Sequence, residues 1–263
     1  MRIATWNINS VRLRLELVQR LLDEWAPDVL CLQEIKVVND LFPAKAFADL
    51  GWVHQHVHGQ KGYNGVAILS RRPLVDCGVR GWCGQDDRRH AFVTVDGVEI
   101  HNFYIPSGGD IPDPAQNPKF DHKLRFVDEM TAWWPEARGA DRPMVAVGDF
   151  NIAPGEHDVW SHKALLDVVS HTPAETTRLE AMRQSIGWID AARHFVAEPE
   201  KLYTWWSYRA KDWRAADRGR RLDHVWVTPP LQGALKAHYA LKDVRGWEPK
   251  PSDHAPVIVD LAL

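Results

Sequence analysis

The stretch MVAVGDFNIAP, residues 144–154, begins as an apolar run fit for the interior and ends by presenting Asp149 and Asn151. In an extended chain, side chains at i and i+2 share a face. The pattern therefore predicts that Asp149 and Asn151 project together from the end of a buried strand, with Phe150 turned away. A carboxylate and an amide aimed at one point can bind a metal, hold a water or close a turn. What else reaches that point decides among them.

Working outward, strand-like and helical runs alternate. RIATWNI (2–8) reads as an opening strand. In VRLRLELVQRLLDEW (11–25), Val11, Leu15, Val18, Leu22 and Trp25 recur at helical spacing, with Asn9 or Ser10 as cap and Pro27 as terminator. DVLCLQEI (28–35) and GVAILS (65–70) read as short strands, and AFVTV and VEIHNFYIP flank Asp96-Gly97, a hairpin signal. HKLRFVDEMTAWW (122–134) is a second amphipathic helix; LLDVVSH and the stretch 175–195 read as helical or irregular. LYTWWSY (202–208), RLDHVWVTP and APVIVDLAL complete the expected strands. No Gly/Ser/Pro-rich linker or tandem repeat divides the chain. Two helix-bearing halves that each supply strands predict one layered α/β sandwich over residues 1–263.

Composition narrows the class. The 263 residues, 45% hydrophobic and 25% charged, describe an ordinary globular chain. No apolar run approaches the ~20 residues of a membrane span. The N-terminus lacks a signal-peptide core, and three cysteines fit no metal pattern, so a reduced cytoplasmic setting is expected. The formal charge of −3 hides an uneven distribution: residues 201–250 carry eleven Lys or Arg against five acids, a local +6 that leaves −9 elsewhere. Local charge sets the field a polyanion meets.

Several strand-like runs end in polar groups: Asn7, Glu34, Asp149 with Asn151, Asp223, and Asp253 with His254. Each alone has a structural explanation, such as a turn, an ion pair with Lys36 or a cap. Together they form a chemical set. Glu34, Asn7 and Asp253 offer hard oxygen donors suited to Mg²⁺ or Mn²⁺, and no Cys or His cluster has zinc-like spacing. Asp223 with His254 reads as a carboxylate-oriented imidazole. Phosphodiester hydrolysis needs an activated water and charge stabilisation on the phosphoryl oxygens, which such a set supplies.

NIN near the start, LQE, GQKGYNGVAI, FYIP, GDFNIAP, RLDH and SDHAP occur in the order of the exonuclease III family. The chain resembles these bacterial apurinic/apyrimidinic endonucleases, within the DNase I-like endonuclease/exonuclease/phosphatase superfamily, over about residues 3–260. GQKGYNGVA and KPSDHAPV are similar to that branch in particular. The resemblance implies a four-layered α/β sandwich, two packed mixed sheets flanked by helices, with the site at one edge.

By motif it makes Glu34 a principal metal ligand with Asn7 beside it and Asp253 close by, Asp149 and Asn151 being further possible ligands. Asp149 would orient or deprotonate the attacking water, held by Asn151. Asp223 would orient His254 against the scissile phosphate, and Tyr104 would donate a hydrogen bond there. Asn9 stands where some relatives carry Asp, which argues against a carboxylate-based second metal site. Trp205 and Leu222 would wall a pocket for the flipped abasic residue, while Arg221 and Lys123 would contact DNA.

The implied function is a Mg²⁺-dependent (Mn²⁺ as substitute) base excision repair enzyme, cleaving 5′ to abasic sites and working as a 3′→5′ exonuclease on blocked 3′ ends. Its expected partner is duplex DNA, with no membrane and a monomeric state. The competing readings are the same chemistry on RNA or a phosphoinositide, and a catalytically silent DNA-binding module.

Overall fold

The computed structural model describes residues 1–263. Two six-stranded sheets carry the chain. The first takes β1 (Arg2–Asn7), β2 (Val29–Gln33), β3 (His54–His58), β4 (Val66–Ser70), β11 (Leu235–Ala240) and β12 (Val257–Leu261), in the order β11-β12-β1-β2-β4-β3. The second takes β5 (Val75–Val79), β6 (His90–Val95), β7 (Val98–Tyr104), β8 (Met144–Asp149), β9 (Ile189–Asp190) and β10 (Asp223–Val227), in the order β5-β6-β7-β8-β10-β9. The helices are α1 (Leu15–Trp25), α2 (Ala44–Ala48), α3 (Pro118–Ala137), α4 (His162–Leu165), α5 (Pro173–Ser185), α6 (Ala191–Phe195) and α7 (Trp213–Ala216).

Strand alternation builds the layers. On β2, Val29 and Cys31 point between the sheets, while Leu30 and Leu32 point outward under α1. On β8, Val145 and Val147 join the same inter-sheet core, and Met144 and Ala146 pack beneath α3 and α5. Each central strand is thus buried on both faces, which explains why these segments read as continuous apolar runs. Helix α1 contributes Leu17, Val18, Leu21 and Leu22, all essentially inaccessible. Burying each such side chain stabilises the fold by roughly 1.5–3 kcal/mol. The expected four-layered sandwich is the observed one.

A buried polar link crosses the sheet interface near its centre. Gln33 Nε2 donates to Thr5 Oγ1 at 2.8 Å and to Asn102 Oδ1 at 2.7 Å, while Asn102 donates to the carbonyls of Leu32 and Ala67. It fixes the register of the two sheets one residue before Glu34. Two glycines are required by geometry. Gly97 (φ +81) follows Asp96 (φ +49) in the tight hairpin between β6 and β7. At Gly148 (φ +134), a Cβ would lie 2.0 Å from the Phe103 carbonyl on the neighbouring strand.

Three local expectations are corrected. Helix α1 starts at Leu15, not at Val11, and its N-cap Arg14 makes no side-chain cap. Asn9 (φ +46) and Ser10 (φ +88) lie in a left-handed loop instead, because Ser10 N–H bonds Glu34 O at 2.8 Å and Val11 N–H bonds Ile35 O at 3.2 Å. LYTWWSY forms no strand; Trp205 makes single bridges to Arg220 and His254. Asp149 and Asn151 do not share an extended face either: β8 ends at Asp149, and Asn151 (φ +54) turns back so that its N–H meets Asp149 Oδ1 at 2.9 Å. That is an Asx-type turn.

Candidate active site

Five strand ends meet at one edge of the sandwich. The parallel pair β1/β2 sets Asn7 opposite Gln33, so Glu34 follows directly beyond it. The parallel pair β7/β8 sets Tyr104 opposite Asp149, and antiparallel β10 places Asp223 opposite Asp149 from the other side. The segment entering β12 brings Asp253 and His254, with Ala255 N–H bonded to Thr204 O at 2.7 Å. Strand ends therefore deliver Asn7, Tyr104, Asp149 and Asp223, and the segments adjoining strands deliver Glu34, Asp253 and His254.

Asp149, 1% exposed, sits at the centre. Its Oδ2 accepts from Asn7 Nδ2 at 2.9 Å and Asn151 Nδ2 at 3.1 Å. Asn7 Nδ2 also donates to Glu34 Oε1 at 2.9 Å, making Asn7 a strut between two carboxylates. His254 Nδ1 lies 2.8 Å from Asp223 Oδ2, and its Nε2 lies 3.7 Å from Asp149 Oδ2. Thr204 Oγ1 donates to Asp223 Oδ2 at 2.6 Å and accepts the backbone N–H groups of Leu222 and Asp223. Since Nδ1 of His254 faces a carboxylate, Nδ1 carries the proton and Nε2 is the end turned to the site.

The electrostatics follow. Burial, reinforced by the charges of Asp223 and Glu34, pushes the Asp149 carboxyl up to about 7 against the pull of His254. Burial opposes a charge on His254, but Asp223 and Asp149 outweigh it and raise the ring to about 10. Burial also acts on Glu34, yet Lys36 and Asn7 hold its carboxyl below the ordinary value. Tyr104 is pushed well above the usual phenol range by burial and by the charges of Glu34 and Asp149, so it stays a hydrogen-bond donor.

The donor set fits a hard divalent cation: carboxylates of Glu34, Asp149 and Asp253, amide oxygens, and no thiolate. Burial first, and then the charges of Asp223 and Glu34, disfavour the Asp149 carboxylate, and a bound cation would offset that cost. Ligand atoms of Asp149, Asp223 and His254 also lie within 4.8 Å of one another, and the His254 Nδ1–Asp223 Oδ2 bond of 2.8 Å joins two of the three as an oriented acid–base pair. Asp253 accepts from Asn9 Nδ2 at 3.2 Å and from Trp205 Nε1 at 2.9 Å.

These residues floor a cleft of about 800 Å³. Trp205, half-buried, and Leu222 line it, as do Arg209, Arg218 and Arg220, none of which pairs with a carboxylate. Arg220 stacks over the Trp205 ring with 5.3 Å to the centroid, and Trp206 is buried against Lys242 and Asp217.

Arg221 and Lys123 do not reach this surface, which corrects their expected role as DNA contacts. Arg221 is 1% exposed and grips Asp158 through two bonds of 2.7 and 2.9 Å, with Asp190 as a third partner at 2.7 Å. Lys123 is fully buried, bonded to Glu175 and to the carbonyls of Ser107 and Asn151. Both charges are consumed internally, holding the loops that carry Leu222 and Asn151. Conversely, Thr204 and the arginines of the cleft were not singled out from the sequence. The arginines lay within the basic segment, whereas one Thr in an aromatic run gives no signal.

Residues 4–254 match the profile of the Endonuclease/Exonuclease/phosphatase family. The chain is 30% identical to an exodeoxyribonuclease III from Haemophilus influenzae, over 98% of each sequence. Among solved structures, an AP endonuclease from Archaeoglobus fulgidus superposes with a TM-score of 0.93 at 32% identity, covering 100% of both chains. A 3′ phosphatase from Neisseria bound to a product DNA hairpin superposes with a TM-score of 0.91 at 35% identity, again over 100% of both.

Proposed function

The chain belongs to the Endonuclease/Exonuclease/phosphatase family, and on that footing we propose that it is a DNA repair phosphodiesterase of base excision repair. It hydrolyses duplex DNA on the 5′ side of abasic sites and trims or unblocks 3′ ends as a 3′→5′ exodeoxyribonuclease. It works as a single-domain monomer in the bacterial cytoplasm. The observation that carries this reading is the buried Asp149 facing a carboxylate-held His254 at the floor of a cleft rimmed by unpaired arginines.

Asp149, with its carboxyl near 7, is poised to accept a proton from an attacking water at neutral pH, and Asn7 and Asn151 aim it. His254, held charged by Asp223, presents Nε2–H to a phosphoryl oxygen and stabilises the charge that builds there. Tyr104 donates its hydroxyl to the phosphate. Glu34 would hold the divalent ion, with Asn7 and Asp253 beside it and the amide oxygen of Asn151 and the carboxylate of Asp149 as further candidates. When bound, such an ion (Mg²⁺, with Mn²⁺ as substitute) would supply further neutralisation of the phosphate and leaving oxygen. Trp205 and Leu222 wall the pocket for the extruded sugar, and Arg209 and Arg218 track the backbone.

Asp149→Asn tests the central assignment, because it deletes the proton acceptor while keeping the shape. Turnover on abasic duplex falls at least about 10²-fold, whereas DNA affinity by fluorescence anisotropy stays within a few-fold. Parallel loss of binding would make Asp149 a substrate contact instead of a base.

A further inference from the structure

The cleft does not end at Trp205. It continues past Trp160, Trp206 and Arg218, which line both spaces, into a second groove of about 470 Å³. Lys201 and Lys242 are distant members of the basic segment 201–250, and the fold brings both to this groove beside Arg218. Asp217 is the one carboxylate among the lining residues, and it is already held by Lys242 Nζ at 2.8 Å and Trp206 Nε1 at 2.9 Å. Three cations against one anion leave the groove positive. Its floor is aromatic. The Arg218 guanidinium lies over the Trp160 ring at 4.8 Å from the centroid, and Lys242 lies over Trp206 at 5.5 Å. A half-buried Tyr203 meets Trp206 edge-on at 6.3 Å. This floor is fastened: Lys201 Nζ bonds Trp160 O at 3.1 Å, and Trp160 N–H bonds Gly219 O at 3.1 Å.

We propose that this groove receives an unpaired continuation of the DNA strand held in the cleft, so that the preferred substrates carry a single-stranded stretch beside the scissile bond. The inference rests on the repair reading above and adds the class of substrate to it. Cations set along an aromatic floor suit a single strand, whose phosphates meet the charges while its bases and sugars meet the rings. A paired strand keeps its bases stacked inside the helix and leaves such a floor unused. Arg218 stands at the junction of cleft and groove, so a strand tracked along the cleft is led directly onto Lys201 and Lys242. That continuity favours the strand already bound over a separate anionic ligand.

The test compares three abasic duplexes by fluorescence anisotropy in EDTA over a range of salt: one fully paired, one opened by mismatches on the 5′ side of the lesion and one opened on its 3′ side. Cleavage of the paired duplex in Mg²⁺ is measured in parallel. Wild type binds one of the opened duplexes about tenfold more tightly than the paired one. Lys201→Ala with Lys242→Ala loses that gain and flattens the log–log salt slope on the opened duplex by about 1.4, at roughly 0.7 for each single-strand phosphate. Binding and cleavage of the paired duplex stay unchanged in the variant. Lys201→Arg with Lys242→Arg, which keeps both charges, keeps the gain. Both lysines reach solvent, and thermal midpoints confirm that the variants fold. Wild type that cuts the paired duplex yet gains nothing from either opening, or a gain that survives in the double alanine variant, would overturn the groove alone. Wild type that binds none of the three would overturn the repair reading and this inference with it.

Discussion

Asp223→Asn removes the charge that holds His254 while preserving the shape of the side chain. The raised ring, at about 10 against an ordinary 6.5, corresponds to roughly 5 kcal/mol in favour of imidazolium. Against the opposing effect of burial, it is supplied by Asp223 in direct contact at 2.8 Å, by Asp149 at 3.7 Å and by Asp253. Asp223 is the first of the raising causes, so its loss removes at least about 3 kcal/mol, which moves the alkaline limb of activity down by roughly two pH units. Loss of orientation adds a pH-independent decrease of about 10²-fold. The assay is kcat/KM on an abasic duplex from pH 6 to 10.5. The variant is expected to lose about 10²-fold at pH 7 and about a further tenfold at pH 9. Stability carries the same sign. A group raised on folding contributes fully below 6.5 and loses that contribution as pH rises through about 10. The wild-type thermal midpoint therefore falls across that window more than the variant's does. An alkaline limb that stays in place in Asp223→Asn would refute the charged-His254 reasoning.

Other consequences follow from the same geometry. Asp158→Ala leaves Arg221 buried without its principal partner, which costs about 3–5 kcal/mol and lowers the thermal midpoint by roughly 10 °C, read by differential scanning calorimetry. Trp205→Ala raises KM for an internal abasic duplex about tenfold and changes a recessed 3′ end much less; equal effects on both would remove Trp205 from the sugar pocket. Arg209→Ala with Arg218→Ala flattens the salt dependence of DNA binding by about 2 in log–log slope if each neutralises one phosphate, and an unchanged slope would take them off the DNA path.

Where sequence and structure agree, the reason is local. Asn7, Glu34, Asp149 and Asp223 sit at the ends of central strands whose apolar runs are continuous because both faces are covered. Those runs and their polar ends are legible one segment at a time. What was not legible depends on distant partners. Arg221 and Lys123 look like surface cations until Asp158, Asp190 and Glu175 fold over them. The four strands that gave no clear pattern, β3, β5, β9 and β11, are the four sheet edges, where one side is wet and alternation fades. The start of α1 is not legible in the sequence, because Ser10 and Val11 bond the carbonyls of Glu34 and Ile35 instead of following helix-capping preference. Thr204 orients Asp223, nineteen residues further along the chain.

The most direct measurement of the central claim uses a 5′-labelled duplex with one internal abasic analogue, incubated with the protein in Mg²⁺ and, separately, in EDTA. A matched undamaged duplex with a recessed 3′ end runs alongside. The account predicts one product ending immediately 5′ to the abasic position in Mg²⁺, shortening of the recessed strand, and neither in EDTA. Cleavage that persists in EDTA, or folded protein that leaves both duplexes intact in Mg²⁺, would contradict it.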